Sequence, residues 1–258
     1  MLEADPKQRF TNRVDLYARC RPGYPPAILG LLREECGLTP ESVVADIGSG
    51  TGLLTHLVLT EGCLVYGVEP NAAMRDAGEK FLEKYPRFRT VAGSAERTTL
   101  PNSCADLITS GQAFHWFDVP RARAEFERVL KPHGQVALVW NERDRDRTPF
   151  LRDYENLLIT YGTDYRQVAA TYPGSRQMER FFGAATFREK SFPNVQTFDF
   201  DGLRGRLLSS SYSPAEGHPN REPMLEALAR LFEAHEQAGH VRFDYDTRVY
   251  YGRLDALG

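Results

Sequence analysis

Gly48, Gly50 and Gly52 alternate in the run Val43-Val44-Ala45-Asp46-Ile47-Gly48-Ser49-Gly50-Thr51-Gly52, at the end of a short apolar segment. Glycines at such a point let the backbone turn tightly and approach a ligand with no Cβ in the way. A helix starting just beyond would aim its free N–H groups at the same place. Glu69 lies 19 residues past Gly50, at the end of the next apolar run. An acid so placed can accept both hydroxyls of a ribose, so the spacing points to a ribose-containing cofactor. A dinucleotide fingerprint would require glycine or alanine at the third position of GxGxxG, which counts out to Leu53. Asp46 precedes the first glycine by two residues, where a carboxylate would repel a pyrophosphate and suit a ligand with an ammonium group. The set points away from NAD and toward an aminoacyl nucleoside.

A second group of residues suits a reacting substrate. Gln112-Ala113-Phe114-His115-Trp116-Phe117 places one imidazole among aromatic rings. A histidine in such company is more often packed than catalytic, but a position at a crevice edge favours substrate contact by His115 and Trp116. Asn141 to Arg147 alternates in charge and reads mostly as a solvated loop. Arg143 is the exception, since it follows a strand directly and can hold a carboxylate bidentately. Ser209-Ser210-Ser211-Tyr212-Ser213-Pro214 is a polar turn, with Tyr212 as its expected substrate contact.

These residues need elements that bring them together. Strands are expected at Ser42–Ile47, Leu64–Val68, Phe88–Ala92, Ala105–Thr109 and Val136–Trp140. Helices are expected at Ala27–Cys36, stopped by Gly37 and Pro40, at Leu53–Thr60, after an Asn71 cap, and after an Asp118 cap. Strands alternating with helices across short connections argue for a parallel sheet covered on both faces. Right-handed crossovers then gather Gly48–Gly52, Glu69, Ser94–Glu96, Gly111–Trp116 and Asn141–Arg143 at one sheet edge. Residues 147–185 read as two or three helices over that edge, followed by strands at Thr197–Phe200 and Val241–Tyr251 with a helix at Glu222–Gln237 between them.

Composition narrows the classes. With 258 residues, the chain has room for one large domain, and 41% hydrophobic residues suffice for its core. A net charge of −3 supplies no global basic field, which disfavours nucleic acid as a partner. Cys20, Cys36, Cys63 and Cys104 form no CxxC pair, and no carboxylate cluster suits a divalent ion, so neither a metal nor a disulfide scaffold is expected. No apolar run has the length of a membrane span, and the N-terminal residues lack the pattern of a signal peptide. A cytoplasmic protein is the expectation.

The sequence resembles the class I S-adenosylmethionine-dependent methyltransferases, in particular their trans-aconitate-type small-molecule branch. Asp46 to Gly52 resembles the family's first motif, and Val65-Tyr66-Gly67-Val68-Glu69-Pro70 its second. Gly93-Ser94-Ala95-Glu96 is similar to the loop after strand three, Leu107 to Trp116 to the segment after strand four, and Leu130-Lys131-Pro132-His133-Gly134 to the turn into strand five. Tyr17 to Pro25 resembles an N-terminal segment that closes over the cofactor.

The resemblance implies an α/β fold: a Rossmann-like, doubly wound, mostly parallel seven-stranded sheet with an antiparallel C-terminal strand and a helical cover. It implies one methyltransferase domain, with residues 40–145 and 187–258 as cofactor core and 1–39 and 147–186 as helical cover and substrate elements. S-adenosylmethionine is the implied cofactor. Its implied contacts are Tyr17, Arg21, Asp46, Gly48, Ser49, Gly50, Gly52, Glu69, Pro70, Met74, Ala95, Glu96, Gln112 and Ala113. Glu69 would hold the ribose, Asp46 the methionine ammonium directly or through water, and Ala95 or Glu96 the adenine. His115 is the candidate base if the acceptor is a hydroxyl or amine; a carboxylate needs none. Base-amino methyltransferases are disfavoured because Ser110-Gly111-Gln112-Ala113 replaces their Asn/Asp-Pro-Pro-aromatic loop, and cytosine-C5 enzymes because Cys104 follows Ser103 and not proline. The expected partner is a small molecule, with no nucleic acid and no membrane, and the expected assembly is a monomer or homodimer. An NAD(P)-dependent oxidoreductase and a non-catalytic S-adenosylmethionine-binding module stand as alternatives.

Overall fold

A computed structural model describes residues 20–170, 175–183 and 187–254. Helix α1 (Ala27–Cys36) ends where Gly37 turns left-handed at φ 68°, as its stop signal implies. Strand β1 (Val43–Ile47) then starts an alternation with α2 (Leu53–Leu59), β2 (Leu64–Val68), α3 (Ala72–Leu82) and β3 (Phe88–Val91). Asn71 caps α3 by accepting the Met74 N–H. The chain returns through β4 (Ala105–Gly111) and a short 3-10 turn at Phe114–Trp116 to α4 (Val119–Val129), whose Asp118 cap accepts the Arg121 N–H.

The seven strands lie in the order β3-β2-β1-β4-β5-β7-β6, where β5 is Leu130–Arg143, β6 Phe187–Phe198 and β7 Val241–Gly252. The strands from β3 to β5 are parallel, while β7 is antiparallel to both β5 and β6. The winding reverses between β1 and β4, so a crevice opens beyond their C-terminal ends. Alternating side chains supply two cores: Val44, Leu107 and Val139 bury on one face, Ala45, Ile108 and Leu138 on the other.

The cover consists of α5 (Pro149–Tyr161), α6 (Tyr165–Ala170), α7 (Ser175–Phe182), α8 (Phe200–Leu208) and α9 (Arg221–His235). Leu151, Tyr154 and Leu158 of α5 share a third core with Leu203 and Leu207 of α8, Leu228 of α9, and Phe243 and Tyr245 of β7. The far end of β7 thus leaves the sheet core and roots the cover.

Three expectations need correction. Strand β5 spans Leu130–Arg143 instead of Val136–Trp140, pairing Leu130 with Ala105 before a register shift. Arg143 therefore ends the strand, opposite Tyr245, instead of following it. Strand β6 is far longer than Thr197–Phe200 because it pairs with β7 from Phe187 to Phe198; as the edge strand it exposes Arg188, Glu189, Lys190 and Pro193, which hide its alternation while protecting the edge. Phe200 opens helix α8, capped by Asp199, and does not close a strand.

Phe114 holds the crevice loop to this frame. Its ring is fully buried and meets Phe181 edge-on at 4.8 Å and Trp140 at 6.0 Å. Phe114→Ala is expected to lower stability by about 3–5 kcal/mol in chemical denaturation. A loss under about 1 kcal/mol would show that the loop is held by other contacts.

Candidate functional site

The glycine turn is fastened by backbone bonds. The N–H groups of Gly48 and Ser49 donate to the Val68 carbonyl at 2.8 and 3.2 Å, which ties the turn to the end of β2. Gly48 adopts φ +70°, and a Cβ there would sit 2.5 Å from the Ala113 methyl, so only glycine lets the β1 and β4 loops come this close. Gly52, at φ +88°, opens α2.

Glu69 stands beside this turn and is 9% exposed. Its Oε2 accepts the Gly50 N–H at 3.0 Å and its Oε1 the Asn71 N–H at 2.9 Å. Burial pushes its pKa up, and the two backbone donors and Arg75 oppose that shift. Each oxygen keeps a lone pair, so this anchored carboxylate can still receive two hydroxyls. Arg75 also donates to the carbonyls of Glu69 and Pro70, and Met74 lies buried below the turn.

Asp46, expected to meet an ammonium group directly or through water, is held by two hydroxyls of the fold. It is 1% exposed, and its oxygens accept the hydroxyls of Thr55 at 2.5 Å and Thr109 at 2.9 Å. It cross-links β1, α2 and β4. Reaching an ammonium group would require a bridging water or release of a threonine. Burial raises its pKa to about 6 against the effect of these hydroxyls. Ala95 is buried in the sheet core, and Glu96 accepts the Asp118 N–H at the start of α4. Tyr17 lies outside the described residues.

A cavity of about 540 Å³ adjoins the turn at Leu53. It brings together Arg21, Gln112, His115, Trp116, Arg143 and Tyr212 from the expected set. Gln112 sits at φ +56°, strained for a non-glycine residue, with its N–H on the Val139 carbonyl and its side chain on the Asn141 carbonyl. Arg21 reaches across to the Ser209 carbonyl at 3.0 Å. Asn141, which the sequence placed at the sheet edge and at the start of a charged run, clamps the residues next to Arg21. It donates to the Gly23 carbonyl at 3.1 Å, while Thr247 donates to its Oδ1 at 2.5 Å.

Arg143 pairs with Glu155 and donates to the Tyr165 hydroxyl at 3.0 Å, with its guanidinium over the Tyr154 ring. Arg206 of α8 joins it in the cavity wall with Tyr245. Glu155, Tyr165, Tyr245 and Arg206 had no sequence signal, because each lies on an element whose approach to the cavity is set by the cover's packing. Among the described residues no group of acids, histidines or cysteines is arranged to hold a metal, and no helix is long and apolar enough to cross a membrane.

The sheet order, the antiparallel β7 and the glycine turn at the switch point together define a Rossmann-like methyltransferase fold. Residues 45–138 match the family model described as a methyltransferase domain. The chain is 28% identical over 250 residues to an uncharacterized methyltransferase of Schizosaccharomyces pombe, covering 93% of this chain and 95% of that protein. It is 34% identical over 157 residues to an uncharacterized methyltransferase of Mycobacterium tuberculosis, covering 61% of each. Its fold matches that of a proposed type II methyltransferase of Anaeromyxobacter dehalogenans with a TM-score of 0.64 at 23% identity, covering 91% of this chain and 98% of that one. The chain is a methyltransferase.

His115 is partly buried, and burial, with the Arg21 guanidinium adding to it, holds its pKa down at about 4. The imidazole is therefore neutral near pH 7 and a weak base. Unfolded, it would titrate near 6.5. As pH falls from there to about 4, the unfolded chain takes up a proton that the folded chain refuses, so the stability attached to neutral His115 is lost across that window. His115→Asn is expected to gain on the wild type by about 1–2 kcal/mol between pH 7 and 4 in thermal melts. A constant difference would place the imidazole in water.

Proposed function

We propose that the chain transfers a methyl group from S-adenosylmethionine to a small-molecule acceptor. The observation that carries this reading is the Gly48–Gly52 turn closed onto Glu69 by the Gly50 N–H. That arrangement presents a rigid carboxylate to a ribose and a bare backbone to the amino-acid part of the cofactor. Ser49 and Gly52 would extend that backbone cradle, Pro70 and Met74 would line the ribose and adenine side, and Ala95 and Glu96 the adenine amine. Asp46 would act mainly by stiffening the turn. Arg21 and Tyr17 would close the site from the N-terminal segment, with Gln112 and Ala113 forming the opposite lip.

The bound cofactor supplies an activated methyl carbon on a sulfonium. The chain's residues then align the acceptor for in-line attack and exclude water. The chain would hold the acceptor atom in line with the methyl carbon–sulfur bond. A carboxylate or hydroxyl acceptor suits the cavity, a carboxylate having no proton to lose and a hydroxyl giving its proton to solvent, and Trp116, Arg143 and Tyr212 are its proposed contacts. Neutral His115 would hold the acceptor by a hydrogen bond, since its low pKa suits positioning better than proton removal. Placement in the trans-aconitate-type branch rests on Tyr17 to Pro25, and a cytoplasmic setting agrees with four free cysteines. We place the cofactor core at residues 40–145 and 187–258, with α8 and α9 lent to the cover.

Calorimetric titration with S-adenosylhomocysteine and with NAD tests the cofactor. Binding of the former alone is expected; binding of NAD alone would restore the oxidoreductase reading. Transfer of labelled methyl to a metabolite extract is expected of an enzyme, and its absence would favour a sensor. Glu69→Ala is expected to weaken S-adenosylhomocysteine by about 1–3 kcal/mol, the scale of a lost charge-assisted bond. Unchanged affinity would remove Glu69 from the ribose.

A further inference from the structure

A polar row interrupts an otherwise apolar sheet face where the N-terminal segment crosses it. Val139 of β5, Phe192 of β6 and Val249 of β7 pack in the core that also receives helix α1. Two residues along each strand, and so on the same face, stand Asn141, Asn194 and Thr247. Asn141 is 4% exposed and Thr247 is fully buried. Burying such groups beside a core is costly unless their partners are in place. The Asn141 Oδ1 accepts the Thr247 hydroxyl at 2.5 Å and the Asn194 amide at 3.0 Å. Two donors on that oxygen fix the amide plane and turn Nδ2 toward the N-terminal segment. There Nδ2 donates to the Gly23 carbonyl at 3.1 Å and the Pro22 carbonyl at 3.4 Å. Asn194 donates to the same Gly23 carbonyl at 2.9 Å. The main-chain carbonyl of Asn141 meanwhile accepts the Gln112 side chain at 2.9 Å.

The segment held in this way is a strap along the cavity, which Arg21, Pro22 and Tyr24 line together with Gln112. Its ends are fixed as well. Arg21 donates to the Ser209 carbonyl, and the Tyr24 hydroxyl fills the space that a Cβ on Gly111 would need. Asn141 therefore grips the strap with its side chain and the Gln112 loop with its main chain. We propose that Asn141 is a positioning residue for methyl transfer: with Asn194 it latches residues 21–24 across the cavity, and opening of this latch sets how fast a bound ligand leaves. The identity of that ligand rests on the methyl-transfer reading. Asn141 acts through the strap and not by touching the reacting atoms. The latch bonds join neutral amides, a hydroxyl and carbonyls, so each contributes modestly and can break and re-form within a catalytic cycle.

Stopped-flow displacement of S-adenosylhomocysteine, and amide hydrogen exchange of the ligand-free protein, test the latch in Asn141→Leu and Asn194→Ala. Asn141→Leu keeps the shape of the side chain and removes its bonds to the strap. Asn194 is half-buried on the edge strand, so its truncation loosens the same Gly23 carbonyl and leaves the buried Asn141–Thr247 bond in place. S-adenosylhomocysteine is expected to dissociate about tenfold faster from each variant, the scale of one or two lost neutral hydrogen bonds. The amides of Arg21, Gly23 and Tyr24 are expected to exchange about tenfold faster, with those of β1 and β4 unchanged. An unchanged dissociation rate in both variants, or unchanged exchange in the strap, would overturn the latch. Faster exchange throughout the sheet, rising in step with dissociation, would assign Asn141 to the scaffold and overturn it as well. If wild type never binds S-adenosylhomocysteine while strap exchange rises locally in both variants, the latch stands and the cofactor reading fails.

Discussion

The hydrogen bond from the Gly50 N–H to the Glu69 carboxylate joins two features that the fold would otherwise leave independent. Parallel strands β1 and β2 end side by side, and their loops could diverge. The Val68 carbonyl draws the Gly48 and Ser49 N–H groups inward, and Glu69 then catches Gly50 from the other side. A turn held at both flanks loses little further entropy when a ligand binds, so its N–H groups are already aimed. Asp46 completes the brace from below, where its threonine bonds lock β1 to β4 and α2. The residue type that suggested a ligand contact thus also explains why the turn is rigid.

The glycine turn and the cavity beside it differ in charge. The turn is flanked by two buried acids, Asp46 and Glu69, whose pKa values burial raises, and neither lines the cavity. The cover end carries Arg143 and Arg206. His115 lines the same cavity, and Arg21 adds to the burial that keeps its imidazole neutral. A neutral ring can still donate or accept one hydrogen bond.

Features encoded over a few residues were legible from sequence. Gly48 to Gly52, the Asn71 and Asp118 caps and the Gly37 stop each act through neighbours in the chain, so residue type and spacing suffice. The interior strands were legible because burial on both faces makes them apolar runs. Features that depend on distant partners were not. The bond from Thr109 to Asp46 could not be read, because the two residues lie 63 positions apart. Strand β6 was obscured because one edge and most of one face meet water. Helix α8 carries Gly202 and Gly205 and little amphipathic pattern, so Arg206 had no element to place it.

The cover's design follows from β7. Its Val249 and Tyr251 pack in the sheet core, while Phe243 and Tyr245 pack with α5 and α8. One strand therefore joins the sheet core to the core of the cover. Tyr245 receives Arg206 and donates to Gln196 at 3.0 Å, and Thr247, two residues on, donates to the Asn141 that clamps Gly23. Tyr245 and Thr247 of one strand therefore hold both the Arg206 side of the cavity wall and the clamp on Gly23.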